Sequence, residues 1–509
     1  MSYARTWGIG LLGLAGHLVE VEADLANGLP GLVLSGLPDA ALSEARDRVR
    51  AAIVNCGEPW PNRRTTVNLQ PAALPKFGSG FDLAIAVALL IGNGRLPAAP
   101  FHDVVLLGEL GLDGTLRPVR GILPMVNAAA QAGLRRVVVP LANAHEAGLV
   151  PGVEVVPVDT LGRLVAFVRG AESLPVPPAV GAPAEPDGPD LADVVGQQLG
   201  RLALEIAAAG GHHLAMIGPP GSGKTMLAQR LPSILPPLDD AEAVEVTSVR
   251  SIAGVLAAGS GLVRRPPFQA PHHSATLPAM VGGGSGLARP GAISLAHRGV
   301  LFLDEAPEFG TQVLEALRQP LEERRISLMR TRGATEYPAH VQLVLAANPC
   351  PCAKPAGDLA CSCPPQVRRR YLARLSGPLL DRIDLQVYLH PVTSAQLMHG
   401  EGSAPVPEPS AVVAERVLKA RAVAAARWSS GGWRTNAEVP GQALRGPRWR
   451  LPRSTVEPLR RHLDAGTLSA RGYDRVVRVA WTIADLHGRA RPQDTDIHQG
   501  YAMRTGEAV

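Results

Sequence analysis

The sequence predicts an α/β protein: a nucleotide-binding core on a mainly parallel sheet, an α/β segment before it and a helical segment after it. Three observations carry this. Between about 191 and 390, apolar stretches of strand length alternate with helical patterns, which implies a parallel sheet with helices packed on it. The run Gly218-Pro219-Pro220-Gly221-Ser222-Gly223-Lys224-Thr225 follows one of those strands. Beyond about 410 the chain is rich in Ala and Arg at helical spacing.

Composition sets the limits. A chain of 509 residues suggests about three domains. A hydrophobic fraction of 46% with mean hydropathy +0.09 excludes wholesale disorder. Gly and Pro are abundant but without a period, which excludes a collagen-like chain. Fifty basic residues against 45 acidic give +5, a balance that permits nucleic acid as a partner without requiring it. No apolar run reaches the roughly 18 residues of a membrane span. Arg5 precedes a short apolar run, but His17, Glu20 and Glu22 follow without a cleavage site. Five cysteines, four of them clustered, do not make a secreted disulfide framework. A soluble, cytoplasmic protein with no membrane association is expected.

The elements follow in order. Residues 1–171 read as one α/β domain. Val19, Val21 and Ala23 alternate with acids like a half-buried strand, Ser43 to Asn55 has helical spacing, and Val104–Leu107 and Val137–Val139 suit buried strands. Residues 172–190, with six prolines, read as an extended linker. Residues 191–390 form the nucleotide-binding core, with strands at His213–Ile217, Gly299–Leu303 and Val341–Ala346. A Pro/Gly/Ser-rich break lies near 400–410, and 391–509 read as a helical domain.

The octapeptide fits G-x-x-x-x-G-K-[ST] and leads into a helix that begins with Met226. Glycines let the loop from Gly218 to Gly223 turn so that its available N–H groups point toward phosphate oxygens, and the helix start adds its positive end. Lys224 would neutralise the outer phosphates of ATP and Thr225 would bind Mg²⁺. Val300 to Leu303 is an apolar strand that ends in Asp304 and Glu305. Asp304 is placed to hold Mg²⁺ and Glu305 to deprotonate the attacking water. Alone, the two acids would read as a solvated strand end; after a P-loop, hydrolysis is the better reading. Asn348 ends another apolar strand; it would contact the γ-phosphate or the water, or else only shape the turn before Pro349.

Together with Ser376 to Leu385 (SGPLLDRIDL), these motifs resemble an AAA+ ATPase of the magnesium-chelatase-like and MCM-type branch. The resemblance implies that Asn348 is sensor 1, Arg382 an arginine finger acting on a neighbouring subunit, and Arg471 of Leu468-Ser469-Ala470-Arg471 the sensor-2 arginine. A salt bridge to Asp381 or Asp384 is the plainer role for Arg382. Ala270 to Ala275 (APHHSA), Val281 to Ser285 (VGGGS), Arg289 to His297 (RPGAISLAH) and NGLPGLVLSGLPDAALSEARDRVRAAI near the N-terminus resemble the ComM/YifB family. That resemblance implies homo-hexameric motors using ATP and Mg²⁺ to drive branch migration of single-stranded or branched DNA in natural transformation. A chelatase motor subunit, remodelling a partner that inserts Mg²⁺ into a porphyrin, is the alternative.

Pro75 to Asp82 and Gly108 to Leu123 resemble the proteolytic domain of Lon. Gly80 falls at the serine position of its Ser-Lys dyad and Leu123 at the lysine position. Ser79 is one place off and has no evident base, so no protease activity is expected.

Cys350, Cys352, Cys361 and Cys363 form two C-x-C pairs in one loop. Four thiolates would complete a tetrahedral Zn²⁺ site; the other reading is four reduced thiols. From Arg427 to Arg461, eight arginines and three tryptophans face two acids. This suits a single-strand binder, but a helical domain with a tryptophan core is the preferred reading. Arg324 to Arg332 alternates like a hairpin strand. In related motors such a hairpin enters the central pore, which makes Arg330 and Arg332 DNA-contact candidates; surface salt bridges are the other reading.

Overall fold

The computed structural model describes residues 3–36, 44–175, 188–284, 288–330, 333–354, 361–392 and 407–506. Strand β2 (Ala15–Ala26) shows why the first segment folds as it does. Val19, Val21, Ala23 and Leu25 are buried on one face, and the intervening acids point the other way, as the two-residue strand period requires. It joins β1 (Tyr3–Leu12), β3 (Gly31–Ser35), β4 (Arg64–Gln70), β5 (Val104–Leu106), β6 (Arg136–Pro140) and β7 (Glu154–Val158) in one sheet. The order is β3-β4-β2-β1-β5-β6-β7. Strands β1 and β2 are antiparallel, and β1, β5, β6 and β7 pair in parallel. Helices α1 (Ala45–Asn55), α2 (Asp82–Gly92), α3 (Ile122–Gln131) and α4 (Leu161–Val168) complete the segment. Helix α2 is apolar all round and buried from Asp82 to Leu90, as a central core helix must be.

The second sheet holds β8 (Leu214–Ile217), β9 (Phe268–Gln269), β10 (Val300–Leu303), β13 (Gln342–Ala347) and β14 (Leu385–Tyr388), with the hairpin β11 (Arg325–Arg330) and β12 (Gly333–Pro338) standing outside it. Its order is β9-β10-β13-β8-β14 and every pairing is parallel. Strands β8, β10 and β13 are buried along their whole length, the mark of a parallel sheet covered on both faces. Around it lie α5 (Gln198–Gly210), α6 (Lys224–Ile234) and α7 (Asp240–Ala253); α7 starts in a capping box between Asp239 and Glu242.

The C-terminal part is helical: α8 (Ser410–Trp428), α9 (Arg453–Asp464), α10 (Ala470–Leu486) and α11 (Asp494–Thr505). Val413 and Val417 of α8 and Val479 and Ile483 of α10 share a core with Leu214, Met216 and Leu227. Trp428 packs edge-on against Trp449 and Trp481, with ring centroids 4.7 and 5.6 Å away. Arg427 pairs with Asp485. Trp428 is therefore a core residue, and Trp433 and Trp449 are partly buried against the same cluster. The Pro-rich linker and the break near 400–410 fall largely outside the described residues.

The first segment packs directly on the second. Leu11 and Ile122 share a buried cluster with Ile252 of α7 and Tyr337 of β12. Glu146 accepts hydrogen bonds from Ser251 Oγ and from the Leu123 amide. The β1–β2 turn rests on the hairpin: a Cβ at Gly13 would lie 2.3 Å from the Glu336 carbonyl oxygen. Glycine is required there twice over, by that contact and by φ +62°.

Candidate nucleotide site

The loop between β8 and α6 carries Gly218 to Gly223. Gly223, at φ +82°, turns the chain into the helix through a conformation that favours glycine. Lys224 opens α6 and is buried; its Nζ donates to the carbonyls of Gly218 (2.6 Å) and Pro219 (2.9 Å) and to Asn348 Oδ1 (3.2 Å). Burial lowers the ammonium pKa, and the charges of Asp304 and Glu305 act against that. Asn348 follows β13, which pairs in register with the P-loop strand; the sheet itself thus sets it beside Lys224.

Thr225 Oγ1 donates to Asp304 Oδ2 at 2.7 Å, and the Glu305 amide donates to Asp304 Oδ1 at 2.9 Å. Asp304 is thereby held by both oxygens at the end of β10. Glu305 has φ +49°, a costly conformation for a side-chain-bearing residue and one that concentrates at functional sites. His273 Nδ1 lies 3.3 Å from Glu305 Oε2, and the His272 ring centroid is 4.1 Å from that of His273. Thr225, Gln229, His273, Phe302, Asp304 and Glu305 line one cleft of about 330 Å³. Met226 is half-exposed on the next turn position of α6.

These residues fit a nucleotide with its metal. Ser222 Oγ is buried in the loop without a hydrogen-bond partner, and the start of α6 supplies backbone donors for phosphate oxygens. Thr225 and Asp304 offer the hard oxygen ligands that Mg²⁺ prefers.

Other candidates lie apart. Arg382 sits just before β14, at the opposite, amino-terminal edge of the sheet. It donates to the Pro378 carbonyl at 2.6 Å and pairs with Glu322. Neither Asp381 nor Asp384 is its partner: Asp381 pairs with Arg471 at 3.4 Å and Asp384 with Arg475. Arg471 is exposed in the first turn of α10, which Ser469 caps. Arg330 ends β11 by its backbone; its side chain and the whole of Arg332 lie outside the described residues.

In the first segment, Ser79 Oγ donates to Glu109. The serine therefore has a partner that the sequence reading did not supply. Lys76 is buried and donates to the carbonyls of Leu69 (2.8 Å) and Pro71, so its ammonium is committed to backbone. The four clustered cysteines converge: Cys350 Sγ is 2.9 Å from that of Cys352 and 3.2 Å from that of Cys361. All four Sγ atoms lie within 4.8 Å of one another.

The family "magnesium chelatase, subunit ChlI" matches residues 190–397, "subunit ChlI of Mg-chelatase" matches 21–143, and the ChlI C-terminal family matches 407–504. Competence protein ComM of Haemophilus influenzae is 42% identical over 495 residues, covering 96% of this chain and 94% of the relative. The chain belongs to the ComM/YifB family of magnesium-chelatase-like AAA+ proteins. Its members include an uncharacterized protein of Mycobacterium tuberculosis, 52% identical over 504 residues and 99% of both chains. Another is the uncharacterized YifB of Escherichia coli, 42% identical over 479 residues, covering 93% of this chain and 92% of the relative. Lon protease of Mycolicibacterium smegmatis is 32% identical over 164 residues, 31% of this chain and 20% of that protein. Among the described residues of this ComM/YifB-type chain, no helix is long and apolar enough to cross a membrane.

His273 is the site residue the motifs alone did not assign. Its signal was present as the His-His pair shortly after β9, but nothing in the spacing said that one ring would meet Glu305.

Proposed function

We propose that the chain is an ATP-hydrolysing motor that works on DNA as a homo-hexameric ring, a branch-migration helicase of the ComM type in recombination and natural transformation. The observation that carries this reading is the pairing of Lys224 with Asn348 and of Thr225 with Asp304, beside a cleft that Thr225, Asp304 and Glu305 line, in a chain 42% identical to a protein named for competence. Lys224 would neutralise the outer phosphates and Asn348 would orient the attacking water. Glu305 would take that water's proton. Thr225 and Asp304 would hold Mg²⁺, which when bound would supply charge stabilisation on the phosphate oxygens. Arg382, remote from its own P-loop, would serve a neighbour's site, and Arg471 would act in cis. Arg330 and Arg332, at and beyond the end of β11, would contact DNA in the pore.

In this reading, residues 1–171 are a Lon-like domain without the dyad, 172–190 a linker, 191–390 the ATPase core and 391–509 the helical lid. Cys350, Cys352, Cys361 and Cys363 would hold a structural Zn²⁺ close behind Asn348. The protein would work in the cytoplasm, away from membranes. The match to the ChlI family over 190–397 favours a second reading, a chelatase-type motor that remodels a protein partner. An ATPase assay with single-stranded and branched DNA separates the two. Stimulation, weakening with salt as counterion release requires, supports the DNA motor; an unchanged rate with every DNA form at low salt overturns it.

A further inference from the structure

A second cavity, of about 400 Å³, lies at the amino-terminal edge of the parallel sheet, between the core and the C-terminal helices. It shares no residue with the nucleotide cleft. Seven arginines line it against four carboxylates. Five of the seven are paired with carboxylates: Arg324 with Glu438, for example, and Arg475 with Asp384. Arg421 of α8 and Arg478 of α10 are not. Among the described residues, Arg421 Nε reaches only the Ala208 carbonyl (2.8 Å), and Arg478 Nε only that of Val439 (2.7 Å). Two more guanidinium nitrogens of this cavity, Arg382 Nε and Arg475 Nε, are buried without a partner.

Burial is the larger influence on the Arg421 and Arg478 guanidinium groups, and carboxylates near them act against it. Burial pushes the Arg421 guanidinium down to about 10 and lowers that of Arg478. His340, partly buried, is pushed down to about 3 by desolvation and then by the charges of Arg324 and Arg298, and stays neutral. Partly buried cations with no carboxylate in contact are unfavourable unless an anion joins them.

We propose that this cavity is a second anion site, which takes phosphate groups on Arg421 and Arg478. Guanidinium is the side chain best matched to phosphate, because its planar fork can donate two bonds to one group. Two unpaired cations suit a doubly charged oxyanion. The phosphates have two possible sources with one chemistry: a free polyphosphate, or the nucleotide held by a neighbouring copy of the chain. The second source rests on the oligomeric-motor reading; the first does not.

The test uses the full chain carrying Lys224→Ala, so that its P-loop is out of play. Sodium tripolyphosphate, compared with sodium chloride at equal ionic strength, should raise the melting midpoint by about 2–4 °C. Adding Arg478→Gln or Arg421→Gln should remove the rise, and Arg478→Lys should keep part of it. For the neighbour's nucleotide, ATP-driven assembly of the Glu305→Gln chain is followed by sedimentation. If that nucleotide is the source, Arg478→Gln weakens assembly at least about tenfold and leaves ATP affinity unchanged. Protection equal in every variant, together with unchanged assembly, overturns the proposal. A chain that neither binds ATP nor assembles removes the motor reading and leaves the tripolyphosphate arm as the deciding test.

Discussion

His273 Nδ1 lies 3.3 Å from Glu305 Oε2, on the carboxylate assigned to the attacking water. Glu305→Gln is expected to keep ATP binding and lower turnover by about 10²–10⁴-fold, since an amide accepts no proton. His273→Ala should lower turnover by about tenfold through loss of carboxylate positioning, with ATP affinity unchanged. His273→Asn, which still donates a hydrogen bond, should recover part of it. Steady-state hydrolysis alongside nucleotide titration checks all three; wild-type turnover in Glu305→Gln removes its role.

Lys224→Ala should abolish ATP binding, because no second lysine stands in the loop. Arg382→Ala should bind ATP and not hydrolyse it. A mixture of the two should regain activity at interfaces that combine an intact P-loop with an intact finger. Assembly of the mixture with no recovered activity would show that Arg382 does not act between subunits.

The thiol cluster should carry one zinc per chain, read by elemental analysis of untagged protein. Cys361→Ser/Cys363→Ser should lose it, because two remaining thiolates cannot close a tetrahedral site. Unchanged metal content in that variant would rule the cluster out as the zinc site.

The first segment should not cleave unfolded polypeptide with or without ATP. Lys76 is bound to two backbone carbonyls and Ser79 to Glu109, so no lysine base stands beside the hydroxyl. ATP-dependent cleavage that disappears on Ser79→Ala would be the contrary result.

Glu245 offers a pH test of the fold. Burial favours its neutral form, but the hydrogen bond and charge of His297, with Arg298, outweigh this and hold the carboxyl at about 2. His297 Nε2 is 2.9 Å away and Arg298 Nε 3.2 Å away. Because its folded value lies below the ordinary 4.5, Glu245 stabilises the native state above that pH. The contribution is lost as pH falls from 4.5 toward 2. Glu245→Gln should lower the melting midpoint by about 2–4 °C at pH 7, and the gap should narrow through that acid window. A constant gap from pH 7 to pH 3 would refute it.

The sequence made the nucleotide cleft legible because each of its parts is local. A glycine-rich loop, a strand ending in Asp304-Glu305 and a strand ending in Asn348 declare themselves within a few residues, and a parallel sheet brings strand ends to one edge. The strands at 104–106, 136–140, 214–217, 300–303 and 342–347 were readable from apolar runs, β-branched in the first two, for the same reason. Long-range pairing was not readable. Arg382 met Glu322, 60 positions away, rather than the acids beside it in sequence. The anion cavity draws Arg421 and Arg478 from two helices and lines them against a sheet edge far upstream. No spacing rule reports such a juxtaposition.

The seat of Gly13 on the Glu336 carbonyl ties the β11–β12 hairpin to a whole folded segment. The hairpin is therefore not a free lever. Its base can move with nucleotide state only by carrying the seven-stranded sheet along as a rigid load, or by breaking that seat and the cluster around Ile252 and Tyr337. A bulkier residue at position 13 would pry this hinge open from the outside, disconnecting the load while leaving every group in the nucleotide cleft untouched.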